Sequence, residues 1–358
     1  MATAVGAMSK KVGEAMSAAI NLHPAKPFPE SIACKFRPAI SEVKRVSLAL
    51  QGGSAHGAFT WGVLDRLLEE PRIEVEGVSA TSAGAMNAAV MAHGLTAGGR
   101  IGAREALEEF WLGVARVSAP FGALQLFELV SRFLSPYQLN PLNYNPLRQL
   151  VQRVIDFELL RQGSAIKLFL PATNVRTGKI KVFTDKEITA DCVLASACLP
   201  FLYQAVEIDG EHYWDGGYMG NPALFPLIYS CQSRDILIVH VNPIERPDKP
   251  TSAREIMNRV NEISFNSSLM REMRAVAFVT KLIDDGKLSQ SDAKRVLIHS
   301  VCADDVMCGL GAASKLNADS GFLRQLRALG RERAQTWIDD HIDDLGARST
   351  VDIRAAYL

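Results

Sequence analysis

Residues 45–94 read as two strand, glycine turn, helix units in direct succession, and no other feature of the chain constrains its fold as much. RVSLALQ is a short apolar run that ends at GGSAHG. The following AFTWGVLDRLLEE places Phe59, Val63, Leu64, Leu67 and Leu68 on one helical face. Pro71 closes that helix, IEVEGVSA reads as a second strand, and SAGAMNAAVMA reads as a helix of small residues ended near Gly94. Each crossover helix must return the chain to the same end of the sheet, so the expectation is a parallel sheet.

The rest of the chain extends this α/β pattern. Residues 103–117 are helical in pattern, and FGALQLFELVSRFL (121–134) is apolar on more than one side, so it should be buried or should cover something apolar. IKLFLPATNV and KIKVFT read as strands around the turn Arg176-Thr177-Gly178, and AVEIDGEHYW reads as a hairpin turning at Asp209-Gly210. Later strands are expected in RDILIVHVNP and KRVLIHSV, and helices over 251–285 and 320–343. The last helix should turn Phe322, Leu326, Leu329 and Trp337 inward and leave Arg324, Arg327, Arg331 and Arg333 on a solvated face. There is no internal repeat and no clear linker, which favours one α/β domain with a helical C-terminal part.

Composition narrows the function classes. Thirty-nine basic residues balance thirty-nine acidic ones, so no global field would gather nucleic acid or an anionic bilayer. The six cysteines are scattered, without a CxxC beside a matching His cluster, and read as reduced; no metal or cofactor is expected. No apolar run reaches the ~18 residues of a spanning helix. The start lacks the charged-then-apolar order of a secretion signal. The expectation is a soluble cytoplasmic protein in which residues 1–40 form an N-terminal arm or mobile tail.

Three segments carry chemistry. QGGSAHG (51–57) joins a strand to a helix, where uncovered N–H groups and the helix dipole make an anion cradle. Gly52 and Gly57 have the spacing of a phosphate loop, but Ala58 and Phe59 stand where its Lys and Ser/Thr must be. An oxyanion hole or a structural turn remain. ATSAG (80–84) puts Ser82 at a strand-to-helix turn between small residues, as a nucleophile elbow requires, although Ala80 replaces the usual first glycine and an ordinary helix cap would look alike. YWDGGYMGNPAL (213–224) sets Asp215 before two glycines on a close-approach turn.

Strand-GGxxxG-helix, then about 30 residues on strand-xSxG-helix, then a DGG turn, resembles in this order the patatin-like phospholipase family over about residues 45–230. The family loop is D-G-G-G-x-R/K-G; here Gln51 replaces the Asp, Ser54 the third Gly and His56 the basic residue. The resemblance implies a three-layer α/β/α fold with a mainly parallel central sheet, a catalytic core at 41–245, and a helical part, 246–358, packed on the same domain. It implies a serine acyl hydrolase of lipid esters, with Ser82 as nucleophile, Asp215 as general base, and the N–H groups of Gly52, Gly53 and Ser54 as oxyanion hole. A desolvated carboxylate within hydrogen-bond reach can serve as such a base. His56, which either donates a hydrogen bond near the oxyanion or shapes the turn, and Phe127, in the apolar 121–134 cover, are candidate substrate contacts. The partner is a lipid or other ester, which leaves room for transient contact with a membrane surface; no nucleic acid is expected. Three alternatives stay open: a Ser-Asp-His triad using His240 or another later histidine, a polyester hydrolase of the same mechanism, and a catalytically silent scaffold on the same fold.

Overall fold

The computed structural model describes residues 42–118, 134–289 and 293–358. The N-terminal arm and most of the apolar 121–134 segment, Phe127 included, lie outside them. Residues 43–358 form one unit by their internal contacts.

Eight strands make one sheet: β1 (Lys44–Leu50), β2 (Ile73–Ala80), β3 (Lys167–Asn174), β4 (Ile180–Thr184), β5 (Val206–Ile208), β6 (Glu211–Asp215), β7 (Asp235–Val239) and β8 (Leu297–Val301). The sheet is mixed. β3, β2, β1, β7 and β8 are parallel neighbours in that order, as the two opening units require, while β4, β5 and β6 join through antiparallel pairs. The β5–β6 hairpin turns at Asp209 (φ 51°) and Gly210 (φ 77°), the left-handed pair a two-residue turn needs.

The helices used below are α1 (Gly57–Leu67), α2 (Ala83–Val117), α3 (Ala190–Ser196), α4 (Ala253–Asp284) and α5 (Ser320–His341). α2 runs through the expected stop at Gly94 and breaks instead at Gly98–Gly99, where Gly99 has φ 62°. The alternation of side chains along each strand separates two cores. Leu48 and Leu50 of β1 and Leu237 and Val239 of β7 pack with residues of α1, α2, α3 and α5. Ala49, Ile236 and Ile238 point the other way, onto Leu227, Leu269, Met273 and Tyr357. The sheet is thus the middle layer of an α/β/α stack.

The register of β3 explains the most important detour. Ala172 pairs with Lys181 of β4 on one edge and with Asp215 of β6 on the other, while Phe169 pairs with Thr184 of β4 and with Ser79 of β2. A strand has two edges, so β2 and β6 share one. β6 takes over that edge near where β2 ends at Ala80, and it carries Asp215 toward the end of β2.

Arg324 is exposed as expected, but Arg327 and Arg331 of α5 do not lie on a solvated face. Gly62 and Gly330 bring α1 and α5 together so closely that a Cβ on Gly62 would lie 2.0 Å from Arg327 O and one on Gly330 2.1 Å from Phe59 O. At this distance Arg327 and Arg331 reach the fully buried Asp65 of α1 at 3.0 and 2.5 Å, and Arg104 of α2 reaches it at 2.6 Å. Arg327 also lies over the Trp61 ring, 4.5 Å from its centre. Helical periodicity placed these arginines correctly, but the acidic partner is 262 residues away in sequence. Burial would raise the Asp65 carboxyl; hydrogen bonds from Arg104 and Arg331 and the charge of Arg327 outweigh it and hold it below the ordinary value. Asp65→Asn should leave three guanidinium groups short of charge and cost about 3 kcal/mol, read as a lower urea midpoint with an unchanged slope.

Candidate active site

Ser82 is the first residue after β2–Thr81 and caps α2 with φ 57° and ψ −123°, a backbone conformation that L side chains avoid. Close packing imposes it. A Cβ on Gly84 would sit 2.6 Å from Leu50 O, and one on Gly52 would sit 2.5 Å from Ser82 Cβ, so the glycine loop and the serine turn meet with no space for a side chain between them. Ala80, which replaces the first glycine of the elbow pattern, is fully buried in the core. The Ser82 N–H donates to Ser196 Oγ on α3 at 3.1 Å.

Asp215 closes β6. Its backbone N–H donates to Cys198 O at 2.8 Å, and its own carbonyl accepts from Thr173 Oγ1 at 2.8 Å. Gly216 must be glycine because a Cβ there would lie 2.2 Å from Pro171 O. The Gly217 N–H donates to Asp215 Oδ1 at 2.7 Å. The other oxygen, Oδ2, is buried and makes no well-formed hydrogen bond among the described residues, although the Ser82 hydroxyl lies near enough to favour the charged carboxylate. Burial dominates and pushes this carboxyl up to about 7, against the pull of the Gly217 N–H and of Ser82. Thr81 Oγ1 donates to Gly220 O at 2.6 Å and ties the serine turn to the Asp-Gly-Gly turn.

In the glycine loop the three expected donors differ. Gly52 N–H is already donated to Asn221 Oδ1 at 2.7 Å, so Gly52 serves by its lack of a side chain and not by its amide. The N–H groups of Gly53 and Ser54 have no acceptor among the described residues. Ser54, where the family pattern has a third glycine, adopts φ 52°. Gln51, in place of the family Asp, is fully buried and uses both ends of its amide. Its Oε1 accepts from the N–H groups of Val241 and Asn242 at 2.9 and 3.0 Å, and its Nε2 donates to Asn221 O and Asn266 Oδ1 at 3.3 and 3.0 Å. A carboxylate could accept the first two but could not make the last two.

Ser54, Ala55 and Ser82 open on a cavity of about 660 Å³ with mostly apolar walls, among them Met86, Phe110, Trp111, Leu147 and Leu202. Beside it lies a polar cavity of about 430 Å³ that shares Met86, Leu147, Ala197 and Tyr203 as lining. Lys315, from the turn Ala312–Leu316, also lines the larger cavity.

His56 points away from this chemistry. Its Nε2 is 2.8 Å from Ser314 Oγ, and because the Ser314 hydroxyl donates to Gly311 O at 2.6 Å, the imidazole is the donor. Burial, with Lys315 and Arg246 nearby, pushes its pKa down to about 3, so it is neutral. It fastens the loop to the C-terminal part and is not among the residues that line the cavity. The histidines after Ser82 are engaged elsewhere: His93 accepts from the Asp156 N–H at 3.3 Å, His240 lies 2.6 Å from the Tyr357 hydroxyl, His299 2.9 Å from Asp235, His341 3.1 Å from Asp344, and exposed His212 3.9 Å from Glu207. Asn221, Asn242 and Asn266 were missed by sequence reasoning. Two of them begin Asn-Pro dipeptides, a turn signal that marked their place but not their bonds.

The frame defines the class: a three-layer α/β/α protein with a mixed central sheet. Residues 48–228, just over half of the chain, match the family model described as patatin-like phospholipase, and the chain belongs to that family. The family as a whole supports lipid acyl hydrolase activity. Comparison with curated proteins found no match. Among solved structures, that of VipD from Legionella pneumophila is similar over 84% of this chain and 67% of that chain, with 13% sequence identity and a TM-score of 0.42. Among the described residues no group of three or more His, Cys, Asp or Glu side chains could hold a metal ion, and no helix is long and apolar enough to cross a membrane.

The buried carboxyl can be titrated directly. Difference infrared spectra between the protein and Asp215→Asn should show a protonated carboxyl band that disappears as pH rises through about 7, and not near the ordinary 3.8.

Proposed function

We propose that the protein is a serine acyl hydrolase of lipid esters that works with a Ser82–Asp215 dyad. The observation that carries this reading is the meeting of a strained Ser82 with a buried carboxyl of raised proton affinity beside a large apolar cavity. In this reading Asp215 takes the Ser82 proton as Oγ attacks the ester carbonyl. The N–H groups of Gly53 and Ser54 hold the oxyanion, each contributing about 3 kcal/mol. Asp215 then gives its proton to the leaving alcohol, and a water activated by the same carboxylate releases the acid from acyl-Ser82. The apolar cavity takes the acyl chain. Residues 41–245 carry the catalytic pair and the donors, and 246–358 pack on the same domain. The engaged histidines support a dyad over a triad.

Ser82→Ala should lose both ester hydrolysis and labelling by a fluorophosphonate. Asp215→Asn should lower kcat/KM by roughly 10²- to 10⁴-fold, and His240→Gln should remain active. A base must be ionised to act, so kcat/KM should rise with pH through about 7. An active Asp215→Asn with a dead His240→Gln would sink the dyad. A folded protein without a Ser82-dependent adduct would indicate a silent scaffold. Neutral lipid, phospholipid and polyester substrates assayed side by side would separate the ester classes.

A further inference from the structure

The glycine loop has lost the charges of its family pattern: Gln51 is a neutral amide, and His56 is neutral by burial. A basic side chain nevertheless reaches the loop from a distant part of the chain. Lys315 is half-buried and lines the same cavity as Ser54 and Ser82, its enclosure lowers its proton affinity below the ordinary lysine value, and its Nζ donates to Asn242 Oδ1 at 2.9 Å, its one hydrogen bond among the described residues. Of the charges around it, Glu262 is paired with Arg246 at 2.6 Å and with Arg259 at 3.4 Å, and Arg246 is also bonded to Cys308 O. His56 is the third titratable neighbour and donates to Ser314.

The orientation of Asn242 follows from its partners. A carbonyl oxygen can only accept, so the NH₂ of Asn242 faces Gly52 and its amide oxygen faces Lys315 Nζ. There it donates to Gly52 O at 2.6 Å and lies 3.5 Å from Gln51 Oε1. Gly52 C=O and Gly53 N–H belong to one peptide unit, in which resonance couples the oxygen to the nitrogen. A hydrogen bond that draws electron density onto the oxygen makes the N–H a stronger donor, and a donor behind it strengthens that bond in turn. On the near side the Gly52 N–H is anchored by Asn221.

We infer that Lys315 and Asn242 form a positioning relay that fixes and polarises the Gly52–Gly53 peptide, so that the C-terminal part of the chain tunes the Gly53 donor of the oxyanion site. The inference rests on the oxyanion assignment made above for Gly53. Lys315 acts through Asn242 and the peptide, and its methylene stem meanwhile forms part of the cavity wall.

The test is Lys315→Met, which keeps the length of the side chain and removes the donor, with Lys315→Ala as a companion that leaves room for an added amine. Lys315→Met should lower kcat on a neutral short-chain ester by about 10- to 100-fold, at or below the effect of deleting one oxyanion donor outright, with KM changed less than about threefold and a cooperative thermal transition retained. The Gly53 amide proton should move upfield in its NMR spectrum. Propylammonium should restore kcat to Lys315→Ala in a saturable manner, and propanol, which fills the same space without charge, should not. A wild-type kcat in folded Lys315→Met, equal rescue by propanol, or an unmoved Gly53 amide would each overturn the relay. If the unmodified protein fails to label at Ser82, the dyad reading fails, while the amide shift still decides the relay.

Discussion

The site depends on the contact between the glycine loop and the serine turn. With a Gly52 Cβ excluded by Ser82 and a Gly84 Cβ excluded by the end of β1, the two turns lock each other in place, and Ser82 is held in a conformation that costs of order 1–3 kcal/mol. The cost is offset by the core beneath, where the C-terminal halves of β1 and β2 and the start of α2 are buried. From that contact follows the opening of Ser82 and Ser54 on the same apolar cavity.

The electrostatics of the site are those of a dry interior. Burial raises the Asp215 carboxyl and lowers His56 and His240, each toward its neutral form. Charges survive where partners are close, as in the Asp65 cluster and the Glu262–Arg246 pair. Neutral amides do the remaining work of holding the loop. Gln51 binds four groups on three segments, and the departure from the family Asp is answered by Asn221 O and Asn266 Oδ1, which accept from its NH₂. On the α1 side of the sheet the C-terminal part is joined to the core by the arginine seam on α1 and by the Ser314–Lys315 turn on the loop.

Much of this was legible in local pattern. The alternation of β1 and β2, the glycines at their ends and the Asp209-Gly210 hairpin are encoded within a few residues, because backbone freedom and side-chain period act locally. The end of the first half of α2 was misplaced because Gly94 is tolerated inside a helix: it is buried, and its Cβ position is taken by the backbone of Ala103 on the same element. Arg327 and Arg331 of α5 read as solvated because the acid that pairs with them lies in another helix. Whether His56 faces substrate or shapes the turn stayed open in the sequence because its partner, Ser314, is as remote.

The sequence by itself determined the parallel α/β frame, the two glycine turns and the identity of the three segments in which chemistry could sit, since each follows from periodicity or from residues with unusual backbone freedom. The tertiary structure decided which groups meet: that β6 takes over the edge of β3 where β2 ends and so carries Asp215 toward Ser82, that Asn221 occupies the Gly52 amide, and that Lys315 stands behind Asn242. The reason is physical. Turns and strands are specified by near neighbours, whereas a hydrogen bond or a buried charge is specified by whichever distant segment packing brings within about 3 Å.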